Sequence, residues 1–105
     1  MVEDITPEEL HRRIEEGDAP QVVDVRPPGA FAAGHIPGAV NLSLDEFTAR
    51  VDEFDWGDEV VFACPLGESS LQAGRLLESF EGTGDATVYN LVGGYDAWAY
   101  DLEES

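Results

Sequence analysis

The sequence contains no lysine, a single cysteine and only two histidines among its 105 residues. Its basic residues are five arginines, which stand against 23 acidic residues and leave a formal net charge of −18. Proteins that bind nucleic acid need clustered basic side chains to neutralise phosphates, so this composition rules against that class. It also argues against attachment to an anionic membrane surface.

Long hydrophobic runs are missing as well. No apolar run approaches the ~20 residues that a membrane-spanning helix needs, and the first residues, Met1-Val2-Glu3-Asp4, lack the features of a signal peptide. We therefore expect a soluble cytoplasmic protein. The length fits one domain, which we assign to residues 1–105, and the acidic surface favours a monomer.

The only cysteine, Cys64, cannot form an internal disulfide, and a cysteine-based zinc site needs several ligands. The two histidines, His11 and His35, are far apart in sequence, so we expect no metal site. Cys64 is then either a buried, inert thiol or a reactive one.

The excess of acidic residues has a physical consequence. Self-repulsion at −18 destabilises a compact state in dilute buffer, whereas at ~1 M salt the Debye length falls to ~3 Å and most of the repulsion is screened. The absence of lysine beside abundant Asp and Glu resembles proteins of halophilic archaea. We expect the fold to gain stability in molar salt.

Short apolar segments alternate with helical patterns along the chain. Four strands are predicted, at residues 21–25, 39–41, 59–63 and 86–89. Helices are predicted between and around them, from 6 to 17, from 43 to about 51, from 69 to 80 and after Gly93-Gly94, with a helical turn at 30–33. This order indicates a parallel sheet covered by helices on both faces, with ligands at the carboxyl ends of the strands.

Several boundaries carry specific signals. Thr6 and Glu9 form a predicted capping box, with Pro7 at the first helical position. Ser43 and Glu46 form a second predicted box. Gly82 and Gly84 are expected to end the helix that begins at Ser69.

Cys64 lies directly after the predicted strand EVVFA and shortly before the helix at Ser69. In such a strand–loop–helix element, Gly67 permits a tight turn, and loop amides together with the helix dipole can form an anion cradle. A cradle of this kind favours a thiolate and stabilises a persulfide anion. Position alone leaves the inert thiol open, and Ser69 and Ser70 either bond the sulfur or cap the helix.

Three groups of residues resemble the motifs of rhodanese-like domains, in the family's order and over nearly the whole chain. The first is Val23-Asp24-Val25-Arg26 with the segment Phe31 to Asn41 (FAAGHIPGAVN). The second is the loop from Cys64 to Ser70 (CPLGESS), similar to that of short single-domain members. The third is Gly93 to Trp98 (GGYDAW).

The resemblance implies a three-layer α/β fold with a central, mostly parallel sheet of about five strands. It implies a sulfurtransferase in which Cys64 takes a sulfane sulfur from thiosulfate or a protein persulfide and passes it to a thiol, cyanide or a protein. No cofactor is implied. The substrate cradle then consists of Pro65, Leu66, Gly67, Glu68, Ser69 and Ser70.

The other matching residues are assigned supporting roles. The resemblance makes Asp24 and Arg26 a structural pair that joins the sheet to nearby loops, and makes His35 a histidine that fixes its loop. Tyr95 and Trp98 are assigned to the core. His11 lies on the first predicted helix with no role assigned.

The loop departs from the family pattern in its charge. Many thiosulfate-using members carry Arg or Lys here, whereas this loop holds only Glu68 as a charged residue. Arg75 lies on the following helix at a spacing that points it away from the thiol. Thiosulfate is therefore in question as the natural donor.

Three rival functions remain. A cysteine phosphatase or arsenate reductase on the same fold needs a longer loop that ends on an oxyanion-binding arginine, and here Ser69-Ser70 follow. A non-catalytic interaction module would retain the fold without sulfur transfer. A merely structural acidic domain leaves the three ordered motifs unexplained.

Overall fold

The computed structural model describes residues 2–80 and 86–104. Its sheet has five strands: β1 (Glu3–Ile5), β2 (Gln21–Asp24), β3 (Val40–Asn41), β4 (Glu59–Ala63) and β5 (Thr87–Leu91). The strand order is β1-β5-β4-β2-β3, and each neighbouring pair is parallel. The predicted α/β class with a central parallel sheet is confirmed.

In the part of the chain that the structure describes, four α-helices accompany the sheet: α1 (Pro7–Glu15), α2 (Pro28–Ala33), α3 (Phe47–Arg50) and α4 (Glu68–Glu78). Alternate side chains of each strand point to opposite faces, so both faces carry a hydrophobic core. On one face Phe62 of β4 packs with Phe47 of α3 and Leu77 of α4. On the other face Val61 packs with Leu10 of α1 and with Trp98.

Strand β1 was not among the four predicted strands. Only Ile5 of its three residues is buried, so the segment carries no periodic pattern. Its partner is β5, where Ile5 pairs with Leu91. An edge strand of this kind is stabilised by a neighbour that lies more than eighty residues along the chain.

Only one of the two hydrogen bonds of the first predicted capping box is present. Thr6 caps α1 by accepting a hydrogen bond from the Glu9 amide at 3.2 Å. The Glu9 carboxylate does not return to Thr6 and instead pairs with Arg12. A guanidinium is a stronger partner for a carboxylate than a neutral amide is.

The predicted helix from Ser43 to Val51 is wrong as a continuous element. The segment is a 3₁₀ turn at Leu44–Glu46, the short helix α3, and a second 3₁₀ turn at Val51–Glu53. Ser43 makes no side-chain cap, and the Glu46 carboxylate pairs with Arg50. Packing of Phe47 and Val51 into the core holds these short turns in place.

The last predicted helix is a 3₁₀ turn at Gly94–Ala97, because the backbone is already extended at Trp98. The predicted stop of α4 at Gly82 and Gly84 lies outside the described residues. Within residues 2–80 and 86–104, no helix has the length and apolarity needed to cross a membrane.

Candidate active site around Cys64

Cys64 follows the last residue of β4 and precedes α4 by three residues. Gly67 ends this loop with φ +92°, in the left-handed region that favours glycine. This turn aims its amide back at the cysteine, and Gly67 N–H donates to Cys64 Sγ at 3.0 Å. The thiol therefore lies at the carboxyl edge of the sheet and at the start of a helix, where an anion is favoured.

A small cavity of about 160 Å³ opens beside the thiol, lined by Cys64, Pro65, Leu66, Glu68 and Ser69. Cys64 itself is buried, with 1% of its surface exposed, whereas 63% of Leu66 is exposed. The cavity wall carries one carboxylate and no cation. Arg75 is exposed and lies outside this wall.

The predicted cradle residues thus come together around the sulfur, and of the two roles predicted for the serines, contact with the sulfur is found at Ser70 and capping at neither. Neither Ser69 nor Ser70 caps α4, because the helix begins one residue earlier, at Glu68, after Gly67. Ser70 is fully buried, and its Oγ lies 3.2 Å from Cys64 Sγ. Ser69 is half-buried and lines the cavity.

Asp24 ends the neighbouring strand β2, and Arg26 follows it two residues later, next to the backbone of the site. Asp24 pairs in register with Ala63, and its carboxylate accepts two-pronged hydrogen bonds from Arg26, the shortest of 2.7 Å. Arg26 also donates to the Gly34 carbonyl at 2.7 Å. Burial opposes the charged form of Arg26, but Asp24 outweighs it and raises the pKa of the guanidinium.

Tyr95 connects this pair to the cysteine loop, a link that the sequence analysis missed when it assigned Tyr95 to the core. The phenol donates to Asp24 Oδ2 at 2.8 Å, and the Arg26 guanidinium lies 3.6 Å from the ring centroid. The Tyr95 amide donates to the Cys64 carbonyl at 2.8 Å. Burial, together with the charge of Asp24, raises the pKa of the phenol, so it stays a hydrogen-bond donor.

The preceding residue, Gly94, makes this contact possible. A Cβ at Gly94 would lie 2.0 Å from the Cys64 carbonyl oxygen, and Gly94 has φ +58°. The Asp96 amide adds a second bond, to the Pro65 carbonyl at 2.9 Å. The 3₁₀ turn therefore clamps the backbone of the cysteine loop through two hydrogen bonds.

The histidines lie apart from the thiol. His35 is buried, its Nδ1 is 2.9 Å from the Phe31 carbonyl, and its ring stacks on that of Phe31. His11 lies 3.1 Å from the carboxylate of Glu15 and stacks on Tyr100. In the described part of the chain, no group of three His, Cys, Asp or Glu side chains is placed to hold a metal ion.

Asn90 is a further polar residue at the site that the sequence analysis missed. It lies near the end of β5, is 8% exposed, and its Oδ1 accepts a hydrogen bond from Ser70 Oγ. The available signal was its position one residue beyond the predicted strand at 86–89. Polar residues at that edge of a parallel sheet face the ligand site.

Comparison with known proteins agrees with this geometry. The family profile of the rhodanese-like domain matches residues 6–101. The uncharacterized protein YqhL of Bacillus subtilis is 35% identical over 78 residues, which are 74% of this chain and 60% of YqhL. The chain therefore spans less than two thirds of that relative's length.

Solved structures give the same result for the fold. A rhodanese-like domain protein from Staphylococcus aureus superposes with a TM-score of 0.83 at 28% identity, over 99% of each chain. A thiosulfate sulfurtransferase from Pseudomonas aeruginosa shares the fold with a TM-score of 0.81 at 21% identity, over all of this chain and 20% of that one. This chain belongs to the rhodanese-like domain family.

Proposed function

We propose that the protein is a sulfurtransferase that carries sulfane sulfur as a persulfide on Cys64. The observation that carries this proposal is the position of the sulfur, which receives the Gly67 amide at 3.0 Å beside the first turn of α4. The first amides of a helix have no acceptor within it, so this end of α4 favours negative charge.

The reaction has two displacements. The Cys64 thiolate attacks the outer sulfur of the donor and forms an S–S bond, while the donor's own S–S bond breaks and releases sulfite from thiosulfate or a thiolate from a persulfide. An acceptor thiolate then attacks the outer sulfur of the Cys64 persulfide. Cys64 leaves as a thiolate, which the Gly67 amide stabilises.

A protein or thiol persulfide fits the site better than thiosulfate as the natural donor. Thiosulfate carries two negative charges, and the cavity offers it Glu68 and no cationic side chain. The nearest arginine of the network, Arg26, is already committed to Asp24 and the Gly34 carbonyl. We place the reaction in a reducing cytoplasm, where a lone thiol persists.

Intact-mass measurement tests the proposal. The purified protein is mixed with thiosulfate or with a small-molecule persulfide and weighed, with Cys64→Ser as the matched control. We expect a gain of one sulfur atom that is absent in Cys64→Ser and is lost when a thiol acceptor is added. If no donor adds sulfur to Cys64, the proposal fails.

A non-catalytic interaction module is the second candidate, and one observation favours it. Leu66 is a large apolar residue with 63% of its surface exposed at the mouth of the site, where a partner protein would contact it. The same experiment separates the candidates. A protein that accepts no sulfur from any donor would act through this surface.

A further inference from the structure

The buried side chains of Cys64, Ser70 and Asn90 are joined by hydrogen bonds. Cys64 Sγ contacts Ser70 Oγ at 3.2 Å, and Ser70 Oγ in turn donates to Asn90 Oδ1. Cys64, Ser70 and Asn90 are 1%, 0% and 8% exposed, so water does not replace these contacts. The sulfur-transfer steps use the thiol and the Gly67 amide, and they leave Asn90 without a role.

The hydrogen bonds that join Cys64, Ser70 and Asn90 share a limited number of hydrogens. A serine hydroxyl has one hydrogen, and Ser70 gives it to Asn90 Oδ1. The contact between Cys64 and Ser70 must then use the hydrogen of the thiol. With Asn90 Oδ1 facing Ser70 Oγ, the arrangement S–H to Oγ and O–H to Oδ1 is the one that fits a neutral Cys64 thiol.

When Cys64 loses its proton to solvent, its sulfur changes from a hydrogen-bond donor into an acceptor. The thiolate needs a donor, so Ser70 must turn its hydrogen to the sulfur. Asn90 Oδ1 and Ser70 Oγ would then face each other as two acceptors with no hydrogen between them, which is unfavourable in a buried site. A half-turn of the Asn90 amide removes this conflict, because Nδ2 then donates to Ser70 Oγ.

The surroundings permit this turn. Asn90 Nδ2 lies on the side of Gly67, 3.8 Å from where a Cβ on that glycine would be. Among residues 2–80 and 86–104 the structure shows no protein acceptor for Nδ2, and no buried side-chain nitrogen there lacks a partner, so Nδ2 reaches solvent and Oδ1 can take its place there when the amide turns. Gly67 has no side chain that would block the rotating group.

We propose that Asn90 is a positioning residue whose amide turns with the protonation state of Cys64 and directs the Ser70 hydrogen accordingly. In the thiolate state the sulfur receives two donors, Gly67 N–H and Ser70 O–H, and the same two donors stabilise Cys64 as the leaving group. This inference rests on the proposed function, because it assigns Asn90 to the thiolate that the transfer steps require.

Two substitutions of nearly equal size test the role of the amide. Asn90→Asp presents only acceptors, so it holds the Ser70 hydrogen away from the sulfur and disfavours the thiolate. Asn90→Leu removes both donor and acceptor, which leaves Ser70 free to donate to the sulfur. The measurement is the rate of Cys64 alkylation by iodoacetamide at mildly alkaline pH, together with the ultraviolet absorbance of the thiolate.

We expect Asn90→Asp to slow alkylation roughly tenfold, the effect of losing one hydrogen bond to a charged group, and to reduce the thiolate absorbance. Asn90→Leu should slow alkylation by less than about threefold. Equal rates for the two variants, with both shown to fold by circular dichroism, would overturn the inference.

The hydrogen bonds from Asn90 through Ser70 to Cys64 are here called the relay. A double variant separates the effect of the relay from that of the negative charge that Asp adds. In a Ser70→Ala background the relay is absent, so the difference between Asn90→Asp and Asn90→Leu should shrink to a small effect of charge. A difference of unchanged size would contradict the inference. If Asn90→Asp does not fold, Ser70→Ala alone decides, since unaltered alkylation there would show that the hydroxyl does not stabilise the thiolate.

Alkylation requires no sulfur donor, so the two proposals can fail separately. A protein that accepts no sulfur but shows the difference between Asp and Leu at position 90 retains the relay and loses the proposed function. A protein that accepts sulfur on Cys64 without that difference retains the function and loses the relay.

Discussion

At the scale of single residues, the sulfur of Cys64 is enclosed by its own loop while the side chains beside it face solvent. Cys64 is buried, and Pro65, Leu66 and Glu68 are exposed. The charge that an incoming donor meets is therefore that of Glu68, since no arginine lines the cavity.

Replacing Glu68 by Arg should lower the KM for thiosulfate several-fold, because it changes repulsion into attraction near the cavity. The kcat should change less, since the Gly67 donor to the sulfur is untouched. Steady-state kinetics with thiosulfate and cyanide measure both constants. Glu8→Arg is the matched control, because Glu8 also lies in the first turn of a helix and the net charge changes equally. An unaltered KM in Glu68→Arg would show that this carboxylate does not face the donor.

The ion pair of Asp24 and Arg26 is predicted to act on stability. Asp24 is fully buried, so Asp24→Asn leaves the Arg26 charge without its partner and should lower the free energy of unfolding by roughly 3–5 kcal/mol. Urea denaturation measures this loss. Arg50→Gln removes a surface pair with Glu46 and should change the stability little. A loss in Asp24→Asn as small as that of Arg50→Gln would contradict the prediction.

At the scale of elements, the cysteine loop, the end of β2 and the 3₁₀ turn meet at the carboxyl edge of the sheet, beside Asn90 of β5. The β4–α4 loop supplies the sulfur, the end of β2 supplies Asp24, and the 3₁₀ turn at Gly94–Ala97 holds the loop backbone. Tyr95 contacts both of the others, through its amide to Cys64 and its phenol to Asp24. A change in the turn should therefore move the cysteine.

Gly94→Ala is predicted to separate the turn from the loop, because the added Cβ would lie 2.0 Å from the Cys64 carbonyl oxygen. Displacing the sulfur by about 1 Å should lower the rate of sulfur loading by roughly tenfold to a hundredfold. Gly17→Ala is the control for backbone strain, since Gly17 also has a positive φ, of +75°, but nothing lies within 4 Å of its Cβ position. Both variants should lose some stability, and only Gly94→Ala should lose activity. Equal rates of sulfur loading in Gly94→Ala and in the parent protein would show that the turn does not position the cysteine.

At the scale of the whole molecule, the net charge of −18 is the dominant feature. Arg12, Arg13, Arg26 and Arg50 each form ion pairs with carboxylates. Five arginines cannot neutralise 23 carboxylates, so the mutual repulsion of the acidic side chains acts on the folded state in dilute buffer.

Raising KCl from low to molar concentration should raise the urea midpoint of unfolding, because screening removes this repulsion. The matched variant replaces three exposed carboxylates with amides (Glu8→Gln, Asp52→Asn and Asp101→Asn). Its midpoint should depend less on salt, since it carries less charge to screen. A midpoint that is equal in low and molar salt for the parent protein would contradict the adaptation to salt that the composition suggests.

Much of this protein was predictable from local sequence. The continuous apolar run from Glu59 to Ala63 predicts a buried strand, and the apolar spacing after Ser69 predicts a helix, since both signals depend on neighbours in the chain. The strand formed at its predicted bounds, and the helix begins one residue earlier and ends two residues earlier than predicted. The position of Cys64 between them followed directly, as did the absence of a cation from its loop.

The tertiary structure decided what surrounds the sulfur. Strand β1 formed because β5 pairs with it across the chain, and the Ser70 hydroxyl reaches Cys64 and Asn90 because α4 packs against β4 and β5. Tyr95 links Cys64 to Asp24 because these segments, distant in sequence, lie side by side only in the folded protein. Sequence determined the position of Cys64 because strand, turn and helix are local, whereas the partners that hold its loop come from distant segments that meet only when the sheet assembles.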